Sequence, residues 1–492
     1  MRFSSSYLFG CALLGIAAAA ENTTATCEAL SAALPNDLFY PESDTYNASI
    51  TAFPFLQLRL HPTCVFRPKS AEDVSKAVNI LRDSGCTKFA VKGGGHNANV
   101  GWANIEDGVT IDMTSLNAVD VVDNNVARVG GGAIWQNVYD VVEQRNLSVL
   151  GGRIGVVGVP GFTTGGGVSF HSPERGWSCD SVVNFQIVLA TGEIVNANKT
   201  SRPDLWAALK GGQSNFGIIT RFDIQAFEAG PMWGGRIAYA PEADTALIQG
   251  FTDFKLDQYD PYAAGWVTNR YNATSKQYTP TSILWYTKAD AAPGKLGHIT
   301  NVGPKTFNGM TVGGAAAFAR NASMVVKGAP MNTIWATTTF HISKTIVHDI
   351  HNLWKSLIPK VTETYAYANV ASELTFQSLA PPPKKDAPNS LGFSSTSTPQ
   401  KDLVFLQIIF YFKDAGASEG LNNALKDFVK LFEELAIKEG VHNDWIYTNF
   451  AAWFQKPLEA YGRQSYSQLK RVSRKYDPRG FYQKQLVGGF KL

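Results

Sequence analysis

The sequence predicts an α+β fold in two lobes, and three observations carry that prediction. The apolar runs Val65–Phe66 and Phe89–Val91 flank a segment with helical periodicity, so the first lobe opens on a parallel strand pair joined by a crossover helix. Glycine clusters at 93–95, 151–167 and 211–217 interrupt the first half with backbone-rich loops. From about Gly230 the texture changes to alternating segments, Trp266–Tyr271, Ile283–Thr287, Thr333–Ile342 and Leu403–Phe412, which read as an antiparallel sheet with flanking helices. At 492 residues the chain exceeds one core, and its length predicts two or three domains of about 150 residues each.

Arg2 precedes the apolar run Leu8–Ala20, which ends in Ala18-Ala19-Ala20 before Glu21, the order of a secretory signal over residues 1–20. Secretion accords with six Asn-x-Ser/Thr sequons, at Asn22, Asn47, Asn146, Asn198, Asn272 and Asn321. It also favours a disulfide among Cys27, Cys64, Cys86 and Cys179. Cys86 is expected to be bridged, to Cys27 or to Cys64, with Cys179 reduced and buried. A net charge of +3 with 17% charged residues and no basic run gives no footprint for nucleic acid or an anionic membrane. Small neutral or aromatic substrates fit better.

Ser70 followed by Asp73 marks a helix start, and Val74, Ala77, Val78 and Leu81 form its apolar stripe. Strand Phe89–Val91 then breaks into Gly93-Gly94-Gly95-His96-Asn97, a turn where backbone N–H groups can surround an anion because no Cβ blocks them. His96 closes it with an imidazole that is nucleophilic when neutral. Strand-like runs at Val109–Asp112, Val119–Val122 and Val126–Val129 follow, then a helix on Ile134, Val138 and Val141. The densest glycine region, Gly151 to Gly167, costs much entropy to order, which implies a backbone laid against a large flat ligand. It contains no nucleotide P-loop and no dinucleotide fingerprint. Val182 to Thr191 reads as a hairpin arm, Asp204 as the cap of a short helix, and Lys210 to Thr220 as a third loop running into a strand. In the second half, Ile346, Ile350, Leu353 and Leu357 mark one amphipathic helix, and Leu421, Leu425, Phe428, Phe432 and Leu435 another. A Pro/Ser/Thr-rich stretch from Leu379 to Gln400 is too long for an ordinary loop and reads as a surface excursion or part of a lid. Asp477-Pro478 stops a final helix.

These segments together resemble the berberine-bridge-enzyme-like branch of the FAD-linked oxidases, whose flavin domain is of the PCMH type shared with vanillyl-alcohol oxidase. Phe89 to His96 resembles the pyrophosphate loop whose histidine carries the flavin 8α-methyl group. Gly158-Val159-Pro160-Gly161 with Gly165-Gly166-Gly167 resembles the loop along the isoalloxazine. Asn215-Phe216-Gly217-Ile218 resembles the strand that meets the adenine half through its backbone. Tyr447-Thr448-Asn449-Phe450 and Lys475-Tyr476-Asp477-Pro478 resemble the C-terminal signature that returns to the flavin. The resemblance implies a signal peptide, an N-terminal wrap over 21–58, a PCMH-type FAD-binding domain over 59–230, a substrate domain over 231–440 and a returning segment over 441–492. It also implies FAD bound covalently by one link through His96, because Ile154 stands where doubly tethered relatives carry a cysteine.

The implied activity is a secreted, monomeric oxidase of secondary metabolism that removes hydride from an alcohol, sugar, amine or metabolite intermediate. Oxygen then reoxidises the flavin to give H₂O₂. Tyr447 is the candidate base, with a lowered pKa, and Asn449 a positioning group. Two other readings are a flavin-domain cyclase of the Diels–Alder type and a redox-silent secreted binding protein. No metal is expected: His348 and His351 lie three apart on a helix without a completing carboxylate or cysteine, and read as a solvated face. His171 either lines the pocket or packs its loop. Ser169 lacks the second glycine of a nucleophile elbow, which argues against a serine hydrolase.

Overall fold

The computed structural model describes residues 22–85, 87–291, 294–326, 330–379, 388–392 and 403–492. The signal segment, Cys86 and most of the Pro-rich excursion therefore lie outside the described residues.

The first lobe opens with a four-stranded sheet in the order β1 (Leu38–Phe39), β2 (Cys64–Phe66), β4 (Val109–Asp112), β3 (Phe89–Lys92). Strands β2, β4 and β3 are parallel, as expected for a crossover, but β4 lies between the two strands that the sequence pairs directly. Every residue of β4 is buried, so it takes the central position. The crossover helix Ala71–Asp83 buries Val74, Ala77, Val78 and Leu81. Ser70 caps it by accepting the Asp73 N–H at 3.1 Å, while the Asp73 carboxylate reaches Lys69 instead of Ser70. Cys27 is bridged to Cys64 across a Cα separation of 6.2 Å. This corrects the expected pairing, because both candidate partners of Cys86 are joined to each other. Cys179 is free and buried.

A five-stranded antiparallel sheet completes the lobe, in the order β5 (Val119–Val122), β6 (Val126–Gly130), β10 (Ile218–Gln225), β8 (Val182–Val188), β9 (Ile194–Asn198). A short pair, β7 (Leu147–Ser148) with β11 (Phe227–Glu228), lies beside it. Asp204 does not cap the helix Pro203–Leu209. It occupies the first turn, where its carboxylate accepts from Lys475 and Tyr476.

The second lobe is one antiparallel sheet. Its order is β15 (Lys305–Asn308), β12 (Met232–Tyr239), β14 (Gln277–Tyr286), β13 (Ala263–Asn272), β18 (Ala371–Leu379), β19 (Leu403–Phe412), β17 (Asn332–His341), β20 (His442–Asn443), with β16 (Thr311–Gly313) also on β12. Alternation sorts its side chains between two cores. Along β19, Leu403 and Phe405 join the core shared with the first lobe, whereas Val404, Leu406, Ile408 and Phe410 join a core backed by helices. Those helices are Asp244–Leu256, Ile346–Thr364 and Ser418–Lys438. The buried stripe of the second includes Ile350, His351, Trp354 and Ile358, so His351 is not on a solvated face. It is buried and paired with Asp244 at 3.1 Å, while His348 is half-buried against Gln249.

The last strand-like contact is made far along the chain. The Phe89 N–H donates to the Gln485 carbonyl and the Phe89 carbonyl accepts the Val487 N–H, so residues 485–487 pair with the free side of β3.

Candidate functional site

The glycine turn after β3 is held from beneath by a buried ion pair. Lys92 Nζ lies 3.1 Å from Asp112 Oδ2 and donates to the Ser49 carbonyl at 2.8 Å, and it stands 4.6 Å from the centroid of the Phe53 ring. Asp112 also accepts from Ser49 and from both the N–H and hydroxyl of Thr114. The end of β3 is thereby fixed, and Gly93 to Asn97 leave it as an ordered rim.

Among the described residues, the backbone N–H groups of Gly94, Gly95 and His96 have no protein acceptor. Unpaired amides in a tight turn form an anion nest. Gly94 is also pressed against the second glycine loop. A Cβ on Gly94 would fall 2.3 Å from the Gly158 nitrogen, and one on Gly158 would fall 2.3 Å from the Gly94 nitrogen. Backbone therefore meets backbone with no room for a side chain. His96 stands at the rim, half-buried, its ring 5.5 Å from Phe55. Desolvation pushes its pKa down to about 4, so the imidazole is neutral at physiological pH. Asn97 Oδ1 accepts the Asn99 N–H and shapes the loop exit.

The second loop enters the short helix Val159–Thr164, where Val159 is buried, Pro160 lies over Gly93 and Gly161 faces open space. Behind this helix stands the C-terminal signature. Asn449 donates to the Phe162 carbonyl and to Tyr447 Oη, both at 3.0 Å. A Cβ on Gly165 would lie 2.0 Å from Asn449 Oδ1, so that contact requires glycine. Tyr447 Oη also accepts the Val168 N–H at 3.1 Å. The phenol is buried among Trp177, Trp445, Phe405 and Phe450. Burial pushes its pKa up to about 12 despite the Asn449 bond, the Arg153 charge and the Val168 N–H, all of which favour the anion. The expected lowering is thus reversed: desolvation outweighs three stabilising contacts.

The third loop faces elsewhere. Asn215 is buried, donates to the Gly212 and Phe490 carbonyls and accepts from Gln483, so its side chain is spent on the C-terminal tail. Gly217 presses on the Val188 carbonyl, and Ile218 enters the core under the parallel sheet as β10 begins. His171 is buried against Phe227, 3.9 Å from Glu174, packing its loop.

The wall contributed by the second lobe was not legible as a motif. On one face of the β13–β18 pair, Trp266 stands opposite Gln377, Thr268 opposite Thr375, and Arg270 opposite Glu373. Arg270 binds Glu373 at 2.7 Å, and Tyr411 donates to the same carboxylate. Tyr411 packs on the cluster of Phe53, Phe55 and Trp335, whose Phe55 touches His96, so this polar ladder looks onto the cradle. At its other end Arg153, from the second glycine loop, donates to Gln377 at 2.9 Å and lies over Trp266 and Trp285. Polar residues at every second position of otherwise apolar strands are the signal that marks them.

A family model described as an FAD binding domain matches residues 62–198, which include both glycine loops. The FAD-dependent monooxygenase prx3 of Penicillium roqueforti is 31% identical over 97% of this chain and 95% of its own length. The FAD-dependent monooxygenase sdcF of Emericella nidulans is 30% identical over 95% of this chain and 98% of its own. The chain belongs to the berberine-bridge-enzyme-like, FAD-linked oxidoreductases. Its fold agrees. 6-Hydroxy-D-nicotine oxidase from Arthrobacter nicotinovorans superposes with a TM-score of 0.76 at 20% identity, covering 91% of this chain and 96% of that one. Glucooligosaccharide oxidase from Acremonium strictum, described with a 6-S-cysteinyl, 8α-N1-histidyl FAD, gives 0.74 at 18% identity over 95% and 100%. This berberine-bridge-enzyme-like chain is an FAD-dependent enzyme, and its residues suit the cofactor. The three unpaired amides match a diphosphate, the abutting glycine backbones leave a surface free of side chains, and a neutral imidazole stands at the rim.

Proposed function

We propose that this enzyme is a secreted, glycosylated oxidase that removes hydride from a small organic substrate, with FAD tethered once, through His96. The observation that carries the reading is the neutral imidazole beside an amide nest that lacks any protein acceptor. The residues that would hold FAD are Gly93 to Asn97 at the diphosphate, and Gly158, Val159, Gly161, Gly165, Gly166 and Asn449 along the ring. Asn215, Gly217 and Ile218 would lie toward the adenine. When bound, FAD supplies hydride acceptance and passes the electrons to O₂, giving H₂O₂.

The protein's own part is acid–base and positional. Tyr447 is the group proposed to take a proton from the substrate. Its oxygen receives two N–H donors and feels Arg153, and all three stabilise the phenolate once the charge forms. Asn449 holds that phenol against the second loop. Trp266, Trp285 and the polar ladder are the groups proposed to orient what binds beside the second glycine loop. Ile154 has no sulfur with which to make a second tether. Secretion is supported by the Cys27–Cys64 bridge and by exposed sequons at Asn47, Asn146 and Asn321.

The test is to denature the purified protein and look for flavin fluorescence that migrates with the polypeptide. Wild type should retain it and His96→Ala should release it; flavin still attached to the variant overturns the tether. The names of the curated relatives favour a second reading, oxygen insertion. Heavy-isotope O₂ separates the two: label in the product marks a monooxygenase, label only in H₂O₂ an oxidase. Turnover that consumes no oxygen and is unchanged by His96→Ala would mark a cyclase, and silence across alcohols, sugars and amines a binding protein.

A further inference from the structure

The polar wall contains two arginines in contrasting states. Arg270 is neutralised by Glu373 at 2.7 Å, within a side chain that is 39% exposed. Arg153, also half-buried, has no carboxylate partner among the described residues. Its one hydrogen bond among the described residues goes to a neutral amide, Gln377, which is itself buried. Its guanidinium lies 4.8 Å from the centroid of Trp266 and 5.5 Å from that of Trp285. Trp285 is in turn fixed by donating its indole N–H to the Phe170 carbonyl at 2.8 Å, and the two indoles meet edge to face.

A cation lifted out of water is costly unless an anion or a full set of acceptors replaces the hydration shell. One amide oxygen and two indole faces replace only part of it. Burial accordingly pulls the Arg153 pKa down to about 10, and the only groups that oppose the shift are the neutral phenols of Tyr447 and Tyr139. The guanidinium still has donors in a planar fork suited to two oxygens. It lies one residue from Ile154, at the seam where the second glycine loop meets β13 and β18.

We propose that Arg153 is the receptor for an oxyanion of the substrate, a carboxylate, phenolate or enolate conjugated to a flat ring that stacks beside Trp266. This assignment rests on the flavoenzyme reading and narrows it. Neutral sugars and simple alcohols leave the cation uncompensated, whereas an acidic aromatic or polyketide-like enol completes it. Arg153 thereby sets specificity, and Gln377 positions its fork by holding one arm and leaving the others to the ligand.

The test uses the holoenzyme with sodium benzoate and its neutral isostere benzamide as probes, followed by tryptophan fluorescence and by the flavin absorbance band. Wild type should bind benzoate at least about tenfold more tightly than benzamide. Arg153→Gln should erase that preference with benzamide binding unchanged, and Arg153→Lys should keep part of it. Gln377→Glu supplies the missing carboxylate from within, so it should raise the melting temperature and abolish the preference together. Equal binding of both probes by wild type overturns the proposal. So does benzoate binding that survives Arg153→Gln while the flavin reduction potential falls, because the guanidinium would then serve the cofactor ring. The colour of each sample separates this inference from the one beneath it. A yellow protein without the preference sinks the anion site alone, and a colourless one with an Arg153-dependent preference sinks the cofactor assignment alone.

Discussion

Removing either partner of the buried pair beneath the cradle should destabilise the protein, and removing both should cost well below the sum of the two single losses. Lys92 and Asp112 have side chains 4% and 2% exposed, so either charge left alone is stranded out of water. Breaking such a pair costs about 3–5 kcal/mol. Lys92→Met leaves Asp112 with donors from Ser49 and Thr114, which places it near the lower figure. Asp112→Asn leaves the ammonium without a counter-charge, facing a neutral amide, the Ser49 carbonyl and hydroxyl and the Phe53 ring, which places it near the upper. In the double variant no charge remains to be stranded, so its loss should fall short of the sum by about 2 kcal/mol or more. Urea unfolding at neutral pH, with an unchanged slope, reads each value from the shift in midpoint. The sign of the pH dependence is also fixed. Burial alone would raise the Asp112 pKa, but Lys92, Ser49 and Thr114 lower it further, so its folded value lies below the unfolded one. Its contribution is present above about pH 4 and lost as pH falls through the folded pKa, so wild type and Asp112→Asn should converge in acid. Losses that add to within about 0.5 kcal/mol would refute the reasoning.

Three further outcomes are expected. Gly158→Ala sets a methyl group 2.3 Å from the Gly94 nitrogen and must part the two loops, so the flavin-to-protein ratio should fall several-fold; full flavin content would contradict the abutting backbones. Cys64→Ser opens a loop of 37 residues and should cost about 4 kcal/mol by the chain-entropy relation, read as a lowered unfolding midpoint in non-reducing buffer. If Tyr447, with its pKa pushed up to about 12, must lose its proton to act, kcat/KM should climb with pH through the alkaline range. Tyr447→Phe should then lie about 10²–10⁴-fold lower and lose that slope.

Local pattern located the glycine turn, because a strand ending in three glycines and a histidine is legible within eight residues, and the structure presses that turn against the second glycine loop. The signature at Tyr447 and Asn449 was equally readable, and the structure brings both onto the second glycine loop from nearly 300 residues away. What escaped depends on register. Arg270 and Glu373 are separated by 103 residues and become neighbours only through the pairing of β13 with β18. The disulfide expectation failed because the 37-residue separation between Cys27 and Cys64 spans a segment with few periodic signals, so nothing in the sequence placed Cys27 beside the start of β2. On the helix Ile346–Thr364, leucines at 353 and 357 suggested one stripe, yet the buried face includes His351 and Trp354, where an acidic partner and a large ring outweigh aliphatic periodicity. The elevated Tyr447 pKa follows from the surrounding aromatic cage, which no linear motif displays.

The pairing of residues 485–487 with β3 has a temporal consequence. During synthesis the glycine turn emerges almost 400 residues before the segment that closes its supporting strand, so the site cannot be fully assembled until residues 485–487 have been made. Cofactor capture is thereby deferred until that segment has docked on β3. A lesion in residues 485–487 would then register first as poor flavin loading, even though the glycine turn itself is untouched.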